Sequence, residues 1–220
     1  MCPTIWFYLA EIYRIQEMHP AATLSMLADA MGVSLQATSR MIRRMAEQGL
    51  VIHEPYRGVV LTAEGERIAL HVIRRHRILE AYLVTVMGFG WDEVHEMVEH
   101  LERGVPERII DRMDEMAGHP ARCPHGEPIP SADGVMPMMD DQPMTEWPLG
   151  VRGQVSRVKT HDPRKLRYLA EVHLLPGTPV VVNGHGPFQG PVHIECAGRT
   201  FVLGHQLAAE VRVEACPEPR

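Results

Sequence analysis

Residues 32–62 read GVSLQATSRMIRRMAEQGLVIHEPYRGVVLT, and the parsing of this stretch decides the N-terminal architecture. Gly32-Val33-Ser34 is a short break. Residues 35–48 then place Met41, Ile42 and Met45 on one side at helical spacing, and Gly49 ends the run. Leu50–Glu54 and Val59–Leu61 read as two strands around Pro55-Tyr56-Arg57-Gly58. Upstream, residues 23–31 carry Leu24, Leu27, Ala28 and Met31 on one helical face. Residues 5–17 carry Leu9, Ile12 and Tyr13 on another, with Thr4 as a cap. Helix, glycine-containing three-residue turn, helix and hairpin make the order of a winged helix-turn-helix.

In that motif the second helix of the pair enters the major groove N-terminal part first. Ser34, Gln36, Ala37, Ser39 and Arg40 lie on the side not taken by Met41, Ile42 and Met45. Gln36 suits adenine and Arg40 suits guanine, because each presents two hydrogen-bonding groups at the right spacing. Arg43, Arg44 and the wing residue Arg57 suit phosphates, which position a protein without specifying sequence. The expected partner is operator double-stranded DNA. A winged helix that serves protein contacts is the alternative.

Outward from this segment, Thr62-Ala63-Glu64-Gly65-Glu66 starts a fourth helix expected to reach Met87, and Gly88-Phe89-Gly90 breaks it. Helices are expected over 91–103 and 106–117, with apolar faces broad enough for contact with a second copy. Between Gly118 and Gly150 the composition shifts to Pro120, Pro124, Pro128, Pro130, Pro137, Pro143 and Pro148 with Met and Asp between them. This reads as a linker or irregular strap, not a packed element, anchored by Met136, Met138, Met139 and Met144. Five strands follow: Val151–Lys159, Val180–Asn183, His193–Cys196, Thr200–Leu203 and Glu210–Val213, with a short helix at Arg164–Glu171. They suit a small β-barrel. The expected fold is α+β and multidomain: 1–70 winged helix-turn-helix, 71–119 helical dimerisation and metal-binding part, 120–148 strap, 149–216 barrel.

Composition sets bounds on function. The chain has 220 residues, a formal net charge of -6 and no apolar run near the roughly 20 residues of a membrane span. No membrane partner and a cytoplasmic location are therefore expected. Cys2, Cys123, Cys196 and Cys216 form no Cys-x-x-Cys pair, which argues against a disulfide framework or a structural zinc site. The 13 histidines stand beside 28 acidic residues, the ligand types that borderline divalent metals take.

Spacing selects among them. His76 and Glu80 are i and i+4 on the fourth helix; His95, Glu99 and Glu102 are i, i+4 and i+7 on the fifth. Each set shares a helix face, so two helices offer five ligands to the space between them. His95-Glu96-Met97-Val98-Glu99-His100 misses both zinc-protease motifs by one residue, since each needs a histidine pair that this run lacks. There is no phosphate loop and no nucleophile elbow. The chain is not expected to be an enzyme; a zinc-dependent hydrolase is the remote alternative.

Leu50-Val51, then Tyr56-Arg57-Gly58-Val59-Val60-Leu61-Thr62-Ala63-Glu64-Gly65, then Arg75-His76-Arg77-Ile78-Leu79-Glu80 resemble the diphtheria toxin repressor and manganese transport regulator family. His119-Pro120 and Cys123-Pro124-His125-Gly126-Glu127-Pro128-Ile129-Pro130 resemble its strap, and the C-terminal strands its SH3-like, or FeoA-like, domain. The resemblance implies a homodimeric repressor whose operator binding depends on Mn(II) or Fe(II). It implies that His76, Glu80 and His95 belong to an ancillary metal site, and Glu99 and Glu102 to a primary one. Glu99 stands where iron-responsive members carry Cys, which leans the metal towards Mn(II), with Fe(II) second. The pattern also breaks. Phe7 and Ala10 stand where helix-1 ligands are expected, and Arg103, which cannot bind a cation, stands for a histidine. Glu11 and Cys2 are the nearest substitutes. Three readings stay open: one metal at the ancillary site with His161 and Asp162 standing in for barrel ligands; Arg103 paired with Glu99 or Glu102, giving metal-independent DNA binding; or a winged-helix regulator that senses a small organic ligand.

Overall fold

A computed structural model describes residues 3–54 and 57–216. Cys2, Pro55 and Tyr56, which figure in the sequence reading, lie outside the described residues. The chain divides into two compact units. One runs to His76 and takes in Pro130–Pro137; the other comprises Arg77–Ile129 and the chain from Met138 on.

The first unit holds α1 (Pro3–Gln16), α2 (Leu24–Met31), α3 (Leu35–Glu47), β1 (Val51–Glu54), β2 (Gly58–Leu61) and the start of α4 (Ala63–Thr85). Thr23 caps α2 by accepting a hydrogen bond from the Met26 amide, and Ser34 caps α3 through the Ala37 amide. Gly49 ends α3 at φ +70°: its amide bonds Ala46 O while the Leu50 amide bonds Met45 O, the paired closure that a left-handed residue permits. β1 and β2 form an antiparallel wing, and Ala22 pairs with Val59 beside it. Ile5, Leu9, Ile12, Leu27, Ile42, Met45 and Val59 are fully buried together. Ile42 and Met45 therefore face inward as expected, but Met41 is half-buried. Thr38 takes the third inward place, with its hydroxyl 3.4 Å from that of Tyr8.

The second unit holds the rest of α4, α5 (Val94–Leu101), α6 (Glu107–Met116), β3 (Asp141–Pro143), β4 (Arg152–Val158), α7 (Pro163–Glu171), β5 (Pro179–His185), β6 (Val192–Cys196), β7 (Arg199–Leu203), α8 (His205–Glu210) and β8 (Val211–Ala215). Ile78, Leu79, Val94, Val98 and Ile110 pack α4, α5 and α6 together. The strands form one antiparallel sheet in the order β3-β8-β4-β5-β6-β7. Its apolar side closes over α7 through Leu166 and Leu169.

Two sequence expectations need correction. The barrel has six strands, not five, because Asp141–Pro143 pairs with β8. The strap is packed over part of its length: Cys123 and residues 125–130 are buried. Ions do much of the holding. Glu127 takes Arg77 at 3.0 Å and Arg157 at 3.1 Å, and Asp141 takes Arg157 at 2.8 Å and Arg212 at 2.9 Å. Burial raises the Asp141 carboxyl, but hydrogen bonds from Arg157, Ser156 and Arg212 outweigh it and leave the pKa below its usual value. Of the strap methionines, Met144 is buried in the sheet core and Met136 packs on Ala10, Val72 and Ile73, whereas Met138 is fully exposed.

Candidate metal centre and nucleic-acid interface

On α3, Gln36, Arg40, Arg43 and Arg44 are exposed, and Ala37 and Ser39 are half-buried. The Ser34 oxygen is engaged as the helix cap. Arg57 on the wing is exposed and paired with Glu54 at 3.1 Å. A row of exposed guanidinium and amide groups thus stands on the outer face of α3, with the buried row of Thr38, Ile42 and Met45 opposite.

In the first unit, Phe7 and Ala10 sit in an apolar cluster with Val72, Ile73 and Met136. Neither side chain supplies a metal donor. Glu11 is paired with Arg14 at 3.2 Å.

In the second unit, α4 carries Glu80 into the interior, where it is 1 % exposed. Its Oε1 lies 3.0 Å from His95 Nδ1 on α5, and its Oε2 lies 3.5 Å from His125 Nδ1 on the strap. His95 Nε2 is 3.6 Å from the Glu99 carboxylate, whose side chain is largely exposed. His76, the last α4 residue of the first unit, is also buried. Glu102 caps the end of α5 and is half-buried, and Arg103 beyond it is exposed. The His161 ring, after β4, stacks on His95 with centroids 3.7 Å apart and meets His125 edge-on at 5.3 Å. Glu80, His125 and His161 offer one ligand atom each, all within 4.8 Å of one another. Donors about 2.0–2.2 Å from a common ion stand roughly 3–4.4 Å apart, so this spacing suits a single cation with small adjustment.

One further detail fits a metal. The His125 Nε2 is 2.7 Å from the Trp91 carbonyl. A carbonyl only accepts, so Nε2 carries a proton, and Nδ1 faces Glu80. A ring N–H bonded to a backbone carbonyl behind, with the other ring nitrogen facing a carboxylate, is how metal-binding histidines are commonly held. Cys123 Sγ lies 3.9 Å from the same Nδ1. Burial pushes its thiol well above the ordinary range, and the Glu80 carboxylate adds to this. Asp162 does not join the group: its Oδ1 caps α7 through the Arg164 amide at 2.8 Å.

Glu80, His95 and Glu99, singled out by spacing, lie near one another, and His161, offered as a stand-in, lies beside them; the sequence reading gives His125 and Cys123 no ligand role. Their Cys-x-His spacing beside Gly126 was the available signal.

Models of three domains match the chain in order: the iron dependent repressor N-terminal DNA binding domain over residues 2–59, the iron dependent repressor metal binding and dimerisation domain over 62–131, and the FeoA domain over 142–215. A solved manganese-dependent transcriptional repressor in complex with manganese is 38% identical, with a TM-score of 0.91, covering 96% of this chain and 100% of that one. This chain belongs to the iron-dependent repressor family. Among the family's other members, the iron-dependent repressor IdeR of Mycobacterium tuberculosis is 29% identical over 223 residues, 96% of each chain. The transcriptional regulator MntR of Bacillus subtilis is 29% identical over 114 residues, 52% of this chain and 80% of its own. The structure of ScaR with bound Cd2+ is 26% identical with a TM-score of 0.84, covering 97% of this chain and 100% of that one. As a family member the chain is a metal-dependent, DNA-binding transcriptional regulator and not an enzyme, with a dimerisation domain and a C-terminal FeoA domain. Among the described residues, no helix is long and apolar enough to cross a membrane.

Proposed function

We propose that this protein is a homodimeric repressor that binds operator DNA when a divalent cation is held around Glu80. The observation that carries this reading is that Glu80, His125 and His161 bring one ligand atom each within 4.8 Å of one another, with Glu80 and His125 buried. A buried carboxylate gathered with imidazole nitrogens is stabilised by a cation or a proton among them. The bound ion supplies the positive charge that joins them. Glu80 is the central anionic donor, and His125 and His161 are neutral nitrogen donors. His95 orients one Glu80 oxygen through its Nδ1 and turns its Nε2 towards Glu99. His76, Glu99 and Glu102 complete the ligand-bearing faces of α4 and α5. The carboxylate at Glu99 supports Mn(II) as the signal, with Fe(II) second.

On the DNA side, Gln36 and Arg40 read adenine and guanine edges, and Ser34, Ala37 and Ser39 complete the face entering the groove. Arg43, Arg44 and Arg57 hold phosphates. Exposed Leu101, Ile109 and Met116 on the helical part support the contact with a second copy.

The test is promoter-DNA binding by chelator-treated protein titrated with Mn(II), Fe(II), Co(II) and Zn(II), beside Glu80→Gln. Metal is expected to tighten wild-type binding about tenfold or more, a coupling of at least about 1.4 kcal/mol, and the variant to lose the response. Equal binding with and without metal overturns it. A metal-independent regulator would then be the better reading, favoured by the apolar cluster at Phe7.

A further inference from the structure

The donors facing Glu80 are not those that a hard cation prefers. Manganese(II) suits carboxylate, carbonyl and water oxygens, whereas imidazole suits zinc, iron and copper, and thiolate is softer still. Around the Glu80 Oε2 stand His125, with its Nε2–H bonded to Trp91 O, the His161 ring and the Cys123 sulfur. One carboxylate is thus surrounded by nitrogen and sulfur. The next residue, Asp162, would have supplied an oxygen, but its carboxylate is tied to the N-terminus of α7. His161 is exposed, lies outside the packed core and stacks flat on His95. It is therefore the member of the group that can be exchanged at least cost to the fold.

We propose that His161 sets the metal preference of this centre, making it selective for a borderline cation, zinc or iron(II), over manganese. The inference rests on the reading of Glu80, His125 and His161 as a metal centre. It sets the nitrogen donors His125 and His161 against the lean towards manganese that the Glu99 carboxylate gives by itself.

Zinc outbinds manganese at most nitrogen and oxygen sites, so the informative quantity is a change in the ratio. The full chain, stripped by chelator, is titrated with Zn(II) and Mn(II) in competition, as wild type, His161→Asp, Glu80→Gln and Cys123→Ser. Co(II) serves as a spectroscopic probe, and thermal melting confirms that each variant folds. His161→Asp is expected to lower the zinc-over-manganese ratio about tenfold or more while still binding one ion here. The Co(II) complex is expected to show d–d absorption that Glu80→Gln removes and Cys123→Ser keeps, which assigns the ion to Glu80, His125 and His161. An unchanged ratio in His161→Asp, with binding abolished by Glu80→Gln, overturns the selectivity and leaves the centre standing. Unchanged metal binding in a folded Glu80→Gln variant overturns the centre itself, and the selectivity with it.

Discussion

Along α4 the surroundings change character within two turns. At Val72 and Ile73 the neighbours are Phe7, Ala10 and Met136, all carbon and sulfur. At Glu80 they are His95 and His125, with Cys123 close behind. The first cluster needs nothing added, because apolar burial and packing stabilise it as it stands. The second is costly as it stands, because a buried carboxylate facing nitrogen and sulfur stabilises the fold only with a proton or a cation among them. A helix that carries both teaches where packing ends and binding begins.

The sharpest way to break this comparison is to remove the carboxylate. Glu80→Ala is expected to lower metal affinity about 100-fold or more, measured by chelator competition, while the melting temperature of the metal-free protein falls little. The Phe7 cluster should behave in the opposite manner. Phe7→Ala is expected to cost roughly 2 kcal/mol, about 4–8 °C in melting temperature, with metal stoichiometry unchanged. An effect of Phe7→Ala on stoichiometry would make that cluster part of a metal site after all.

Gly126 joins the two ideas. Its φ is +85°, and a Cβ there would lie 2.2 Å from Ser156 O and 2.7 Å from Arg157 Cα. Gly126→Ala must displace the strap, and His125 with it. It is expected to cost about 2–4 kcal/mol in thermal unfolding and about tenfold in metal affinity. Retention of both would mean that the strap does not position His125.

The smallest effect is pH dependence. Asp141 and Glu214 have folded pKa values below their usual ones: burial raises both, and arginine hydrogen bonds more than offset it. A depressed carboxylate contributes stability that is present above its unfolded pKa near 4 and is lost as pH falls through the lower folded value. Acid unfolding should therefore steepen below about pH 4, and Asp141→Asn should flatten that limb. An unchanged acid limb in the variant would show that the buried arginines do not depend on Asp141.

These contrasts follow what the sequence made legible. α3 and the wing were readable because Ile42 and Met45 recur at helical spacing and Gly49 is a stop that chemistry requires. Helix α5 was expected from 91 and begins at Val94. Residues 91–93 have other employment: Trp91 lends its carbonyl to His125 and packs on the sheet core, and the Glu93 carboxylate accepts the Gly90 amide. The strap and β3 escaped the hydrophobic pattern because their burial rests heavily on charge. Asp141-Gln142-Pro143 has no apolar alternation, and its position follows from Arg157 and Arg212, distant in sequence. Glu80 and His95 were readable from i,i+4 spacing. His125 and Cys123 come from a segment whose path no periodicity describes.

Trp91 has an optical consequence. Its indole lies 5.8 Å from the His125 ring, stacked at 30°, and Trp6 and Trp147 are the chain's other tryptophans. A paramagnetic ion bound by His125 would sit close enough to Trp91 to quench its emission. Ultraviolet excitation of a Trp6→Phe, Trp147→Phe protein would then follow loading of this centre in real time, with no dye attached.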